Sequence, residues 1–236
     1  MKPVAIFRHS PTEGPGYFAT YLDRHRIPWR LVKIDAGESV PEDPRAYSGL
    51  VFMGGPMSVN DELPWIPRVL ALIAGAVRAD IPVLGHCLGG QLMSKALGGS
   101  VGRNPVKEIG WGTVVVEPGA EAKKWFGGTR EFLSFHWHGE TFTLPAGAVR
   151  VASSPYCANQ VFTLGKHLGM QCHVEMTPEL IRDWCRDWGK ELVSMSAKAG
   201  PSVQTPAEMQ KDLERRVADL NAVADTLYDR WIEGLA

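Results

Sequence analysis

Apolar residues in this chain fall into short runs, with wider helix-spaced stripes between them. Residues 4–9 form a largely apolar run, the pattern of a strand buried on both faces. Similar runs recur at 29–34, 48–53 and 81–85, the third leading straight into Gly54-Gly55-Pro56. Between the last two, residues 65–79 place Ile66, Val69, Leu70, Ile73 and Val77 at helical spacing. Helices are also predicted over 16–26 and 90–97. Strands alternating with helices through short connections imply parallel βαβ units, with helices covering both faces of the sheet.

The pattern changes after residue 98. Short β-like runs at 112–117, 131–137, 148–153, 160–164 and 168–172 are punctuated by Gly and Pro, with one short helix near 120–126. An antiparallel layer added to the parallel sheet is the expected result. Thr177-Pro178-Glu179 marks a helix start, with Thr as N-cap and Pro in the first position. Leu180, Ile181, Trp184, Cys185 and Trp188 form its apolar face. Residues 197–205 separate it from a last helix, opened by the capping box Thr205-Pro206-Ala207-Glu208 and striped by Met209, Leu213, Val217, Leu220, Val223, Leu227 and Trp231. The expectation is an α/β domain over 1–196 and a C-terminal helical extension over 197–236 packed on it.

Composition narrows the function classes. The 236 residues are 44% hydrophobic and 22% charged, with a formal net charge of −1, as in ordinary soluble globular proteins. No Lys/Arg run makes an electrostatic case for nucleic acid or an anionic membrane as partner. No stretch approaches the roughly 18 apolar residues of a membrane span, and the N-terminus lacks the apolar length of a signal peptide. A cytoplasmic protein is expected. Four cysteines without a CxxC pair predict neither a disulfide framework nor a metal site.

The chemistry lies in two segments, Gly85-His86-Cys87-Leu88-Gly89-Gly90-Gln91 and Gln171-Cys172-His173-Val174-Glu175. In the first, glycines two residues before and after Cys87 let a strand turn sharply into a helix around a strained nucleophile. The amino end of that helix points free N–H groups at the site, which suits a nucleophilic sulfur and an oxyanion. In the second, His173 and Glu175 lie two residues apart, so on an extended chain they point the same way, a base and its orienter. Gly54-Gly55-Pro56 ends a predicted parallel strand, so it shares the carboxyl edge of the sheet where open α/β folds bind ligands. A glycine N–H there, with that of Leu88, completes an oxyanion hole. Taken singly, each segment is equally a buried thiol, a core histidine or a turn.

Gly-Gly-Pro, Gly-x-Cys-x-Gly-x-Gln and Gln-x-His-x-Glu, in that order, resemble the motifs of class I glutamine amidotransferases. The likeness spans about 4–188, and the chain as a whole is similar to stand-alone members resembling the glutaminase part of GMP synthase. It implies a flavodoxin-like, doubly wound α/β fold that hydrolyses glutamine to glutamate and ammonia. Carried over, Cys87 is the nucleophile, His173 the base and acid, and Glu175 its orienter, with Gly55 and Leu88 as oxyanion donors. Gln91 helps bind substrate, and His138-Gly139-Glu140 matches the family's His-Gly-Asp segment near the substrate's α-amino and carboxylate groups. The chain departs from the family at Cys172 and Val174, which stand for Phe and Pro, at His86, where the family has an apolar residue, and at Trp137, where many members have Ser. No cofactor or metal is implied.

Three functions fit. One is a glutaminase feeding ammonia to a separate synthetase subunit, since this chain has no nucleotide-binding loop. The second is a hydrolase of γ-glutamyl amides or peptides, like the γ-glutamyl peptidases of this superfamily. The third is a non-catalytic regulatory protein on the same fold. The C-terminal helix could serve as a homo-oligomer interface.

Overall fold

The computed structural model describes residues 1–235, with the backbone alone at 190–191 and 194–199. The first half alternates β1 (Val4–Arg8), α1 (Gly16–Arg24), β2 (Trp29–Lys33), β3 (Gly49–Phe52), α2 (Ile66–Arg78), β4 (Val83–His86) and α3 (Leu88–Ala96). Side chains on successive strand residues point to opposite faces. Val4 and Ile6 of β1 therefore join one hydrophobic core, while Ala5 and Phe7 join the other. Val51 and Leu50, and Leu84 and Val83, divide in the same way. This double burial is why these strands read as continuous apolar runs rather than alternating ones.

The second half contains β5 (Val101–Val116), α4 (Ala120–Phe126), β6 (Glu131–Phe142), β7 (Val149–Ser153), β8 (Val161–Leu164) and β9 (His167–Met170). Among the described residues all nine strands form one sheet in the order β2-β1-β3-β4-β9-β8-β7-β5-β6. The first five are mutually parallel, and each later pair is antiparallel. The antiparallel addition thus extends the edge of the parallel sheet. The carboxyl ends of β3, β4 and β9 lie side by side, and all three predicted motifs follow them directly. Strands β5 and β6 run well beyond their predicted starts and ends as one long antiparallel pair.

The C-terminal part differs most from expectation. Helix α5 (Pro178–Ala199) carries the expected Thr177 cap, whose hydroxyl accepts from the Leu180 N–H, and extends past residue 196. Trp188, expected on its buried stripe, is 39% exposed, because the helix there borders an open cleft. The last helix is two helices, α6 (Pro206–Gln210) and α7 (Leu213–Ile232), separated by Asp212 in a left-handed conformation. The capping box belongs to the short one. A continuous helix would pair the Met209 carbonyl with the Leu213 N–H; here the Trp111 indole N–H takes that carbonyl at 2.8 Å. Met209 and Leu213 are nevertheless both buried.

Glycine brings α3 close enough to the sheet to complete the strand-to-helix turn. A Cβ on Gly89 would lie 1.9 Å from the Phe52 carbonyl oxygen of β3, and one on Gly85 would lie 2.4 Å from the Gly89 carbonyl carbon. Gly89→Ala should therefore destabilise the fold by about 1–3 kcal/mol or more, read as a lower midpoint in urea unfolding. Gly128→Ala, at a site with open space around it, should leave the midpoint nearly unchanged. Equal midpoints for the two variants would refute this account.

Candidate active site

Cys87 links β4 to α3 with φ 49° and ψ −106°, a conformation that costs a non-glycine residue about 1–3 kcal/mol. Neighbours hold it there. Its N–H donates to the Met170 carbonyl at the end of β9 (2.8 Å), and its carbonyl accepts from the Gln91 N–H (3.0 Å). The sulfur acts on the His173 imidazole beside it, and its own contact is with the Trp137 carbonyl at 3.9 Å. The Gln171 amide donates to the sulfur at 3.5 Å.

His173 arrives two residues after Gln171, its N–H fixed to the Phe135 carbonyl of β6 at 2.8 Å. Its Nδ1 meets Glu175 Oε1 at 2.7 Å, which turns Nε2 away from the carboxylate. The Trp184 ring stands edge-on to the imidazole, centroids 5.2 Å apart. Both members of the pair are buried. Burial alone would lower the imidazole pKa, but the Glu175 carboxylate and the Cys87 sulfur outweigh it and hold the pKa well above its ordinary value. For Glu175 burial acts upward, and the His86 and His173 rings outweigh it, bringing the carboxyl down to about 2.

His86 sits behind this pair. Its Nε2 lies 3.6 Å from Glu175 Oε2 and 3.2 Å from the Tyr228 hydroxyl of α7. Burial pushes its own pKa down. Each oxygen of Glu175 thus faces a histidine.

The other expected residues gather round one cleft of about 420 Å³. Cys87, His173, Gly55, Gln91, His138 and Gly139 line it, while Glu175 is buried behind His173. Gly55 lies against Leu88: a Cβ there would be 2.8 Å from Leu88 Cδ2. As the first residue of α3, Leu88 has an N–H with no partner within its helix. His9 braces this loop, with Nδ1 3.0 Å from the Met53 carbonyl and its pKa lowered to about 4 by burial. Gln91 turns inward, its amide donating to Gln171 Oε1 at 3.1 Å. Both ring nitrogens of His138 are also engaged, with the Glu140 carbonyl (2.9 Å) and with Glu108 Oε2 (3.0 Å).

The comparisons decide the family. The family model for "Glutamine amidotransferase class-I" matches residues 19–184. The chain belongs to that family. A glutamine amidotransferase-like protein of Salmonella typhimurium, YfeJ, is 31% identical over 209 residues, covering 86% of this chain and 87% of its own. The GMP synthase of Aeropyrum pernix is 31% identical over 199 residues, covering 80% of this chain, which spans only 35% of that protein. The crystal structure of a glutamine amido transferase from Methylobacillus flagellatus superposes with a TM-score of 0.96 at 44% identity, over 100% of this chain and 96% of its own. The chain has the flavodoxin-like α/β fold of these neighbours, and no described helix is long and apolar enough to cross a membrane.

Sequence reasoning missed several residues of this cleft: Glu13, Lys107, Trp184 as a wall, and the buried Glu108 beneath His138. Only Glu13 carried a signal, since it follows β1 on the same carboxyl edge as the three motifs. Among the described residues one group, Glu108, His136 and His138, has donor atoms close enough together for a metal ion. Protein hydrogen bonds already occupy Glu108, from Ser154 (2.7 Å), Gln160 (2.8 Å) and His138, so these donors form an internal network.

The electrostatics of the pair can be tested. Glu175 has a depressed pKa, so its stabilising contribution is in place above about pH 4.5 and is lost as pH falls towards about 2. His173 has a raised pKa, so its contribution is in place below about pH 6.5 and is lost as pH rises through its elevated folded value. Glu175→Gln should lower the His173 titration midpoint, followed by imidazole NMR, and flatten the acid limb of the stability profile. An unchanged midpoint would show that Glu175 does not hold the proton on His173.

Proposed function

We infer that the chain is a thiol hydrolase of γ-glutamyl amides, with glutamine as the simplest substrate. The observation that carries this is His173, held by Glu175 at 2.7 Å and lining, together with the Cys87 sulfur, one cleft of small-molecule size. The Cys87 sulfur attacks the γ-carbonyl carbon, forming a C–S bond and moving the carbonyl electrons onto oxygen. The N–H groups of Gly55 and Leu88 stabilise that oxyanion; one such donor typically contributes about 2.7–4 kcal/mol. Protonated His173 gives its proton to the amide nitrogen, the C–N bond breaks, and a γ-glutamyl thioester remains. His173, now neutral, takes a proton from water, hydroxide attacks the thioester, and glutamate leaves with the sulfur restored. Glu175 holds the imidazolium in both halves of the cycle.

In the first reading the nitrogen released is ammonia, handed to a synthetase on another chain. The likeness to part of GMP synthase supports this. In the second the enzyme hydrolyses larger γ-glutamyl amides by itself. One observation favours the second: Thr12, Trp184 and Trp188 also line the cleft, with Trp184 against His173, a surface that ammonia does not need.

The test is release of glutamate from glutamine and from γ-glutamyl amides, beside Cys87→Ala. Turnover should fall by about 10⁴-fold or more in the variant, and a glutamine-like electrophile should label Cys87 in the wild type alone. Release that survives in Cys87→Ala would refute the mechanism. Faster release from an N-substituted amide than from glutamine would favour the second reading.

A further inference from the structure

The cleft lining is of two chemical kinds. Gln91, His138, Gly139 and Lys107 form one group, with the Lys107 stem 3.3 Å from where a Gly139 Cβ would lie. Glu13, Thr12, Trp184 and Trp188 form the other, in which Trp184 stands edge-on to His173 and donates to the Thr12 carbonyl. The Glu13 carboxyl lies directly on Gly54, where a Cβ would come within 2.0 Å of Glu13 Oε2 and 3.2 Å of His173 Cε1. The absence of a side chain at residue 54 thus brings this carboxyl beside the catalytic imidazole.

Glu13 is held through its backbone, and its partly exposed carboxyl lines the cleft. Its N–H donates to the Ser10 carbonyl at 3.1 Å, and the Trp184 indole N–H pins the adjacent Thr12 carbonyl at 2.8 Å. Among the described residues nothing hydrogen-bonds to the carboxyl group itself. Burial pushes its pKa up to about 7, with His173 pulling it down and Glu175 adding to the rise. A positively charged group placed beside it would ionise it and pair with it.

The direction of the reaction assigns a role to this second group. His173 must deliver its proton to the departing nitrogen, so the leaving group sits on the His173 side. Whatever that nitrogen carries extends towards Glu13 and the two indoles. We propose that Glu13 and the neighbouring tryptophans form a subsite for the leaving amine, selecting γ-glutamyl amides of amines with a second positive charge over γ-glutamyl amino acids. This rests on the hydrolase reading above and specifies its substrate class. An amino-acid leaving group would set its own carboxylate against that of Glu13, whereas an ammonium pairs with it and can lie on an indole face. Bond making and breaking are those already described, and the product is a diamine in place of ammonia.

The test compares kcat/KM for γ-glutamyl-(2-aminoethyl)amide, neutral γ-glutamyl-propylamide and γ-glutamylglycine, with glutamine alongside. The wild type should prefer the aminoethyl amide over the propylamide by at least about tenfold, and over γ-glutamylglycine by more. Glu13→Gln should bring the three within about threefold of one another, and Glu13→Asp should restore the order. A purely structural role for Glu13 would lower all three alike and keep their ratios. Wild-type turnover without the preference, or a preference that persists in Glu13→Gln, overturns the subsite while leaving the hydrolase reading intact. Release from none of the four compounds overturns both. Should Glu13→Gln fail to fold, the wild-type ratios decide, and a preference that does not weaken with added salt counts against the ion pair.

Discussion

Everything at this site depends on holding one non-glycine residue in a left-handed backbone conformation at the end of a parallel strand. Cys87 does not favour φ 49° by itself. Two backbone hydrogen bonds, one to β9 and one within α3, offset a strain of about 1–3 kcal/mol. They exist because α3 comes close enough to β3 and β4 to turn without a linker, and glycines at 85 and 89 allow that approach. The same strand adjacency sets the rest of the geometry. Because β3, β4 and β9 are neighbours, the Gly54-Gly55 turn, the elbow and the His173 segment converge without any long loop having to be ordered.

The second constraint is electrostatic. An unpaired ionised carboxylate or imidazolium at this depth would be strongly destabilising, and would shift its pKa and neutralise instead. Here each charge supports the other, so burial raises the strength of their interaction while the pairing keeps both ionised. His86 adds a polar neighbour on the far side of Glu175, and it is held by Tyr228 near the end of the chain. Helix α7 is itself tied to α1, through Tyr17 to Asp225 (2.8 Å) and Tyr21 to Asp229 (2.6 Å). Although the family match ends at residue 184, a side chain from beyond it thus contributes to the surroundings of the candidate triad.

The parallel half was legible in the sequence because strands buried on both faces leave continuous apolar runs, and because the three motifs are short and follow directly after strands. The antiparallel half was less so. Strand β5 opens by pairing Val101, Gly102 and Arg103 with the end of β6, then breaks register between Arg103 and Glu108 before pairing resumes, and neither feature follows from a local pattern. The break before α7 was hidden for a different reason: Met209 and Leu213 keep helical spacing, while side chains of Trp111 and Arg216 take the Met209 and Glu208 carbonyls. Glu13 follows β1 on the same carboxyl edge, but nothing in its own segment reveals that Gly54 leaves room for it beside His173.

This division has a functional logic. The groups proposed to make and break bonds come from the ends of adjacent parallel strands, where register fixes them and substitution disturbs the core. The groups that border the rest of the cleft come from elsewhere: Glu13 from the loop after β1, Trp184 and Trp188 from α5, and Lys107, His138 and Gly139 from the β5–β6 pair. Glu108, Ser154 and Gln160 brace His138 from below, so that part of the cleft is kept rigid by a network separate from the Cys87–His173–Glu175 line. A fold arranged in this way can change the amide it accepts through loop and helix residues while the strand-end chemistry stays the same. Of the departures from the family pattern, Trp137 thus stands in the cleft wall, whereas His86 stands behind it against the Glu175 carboxylate.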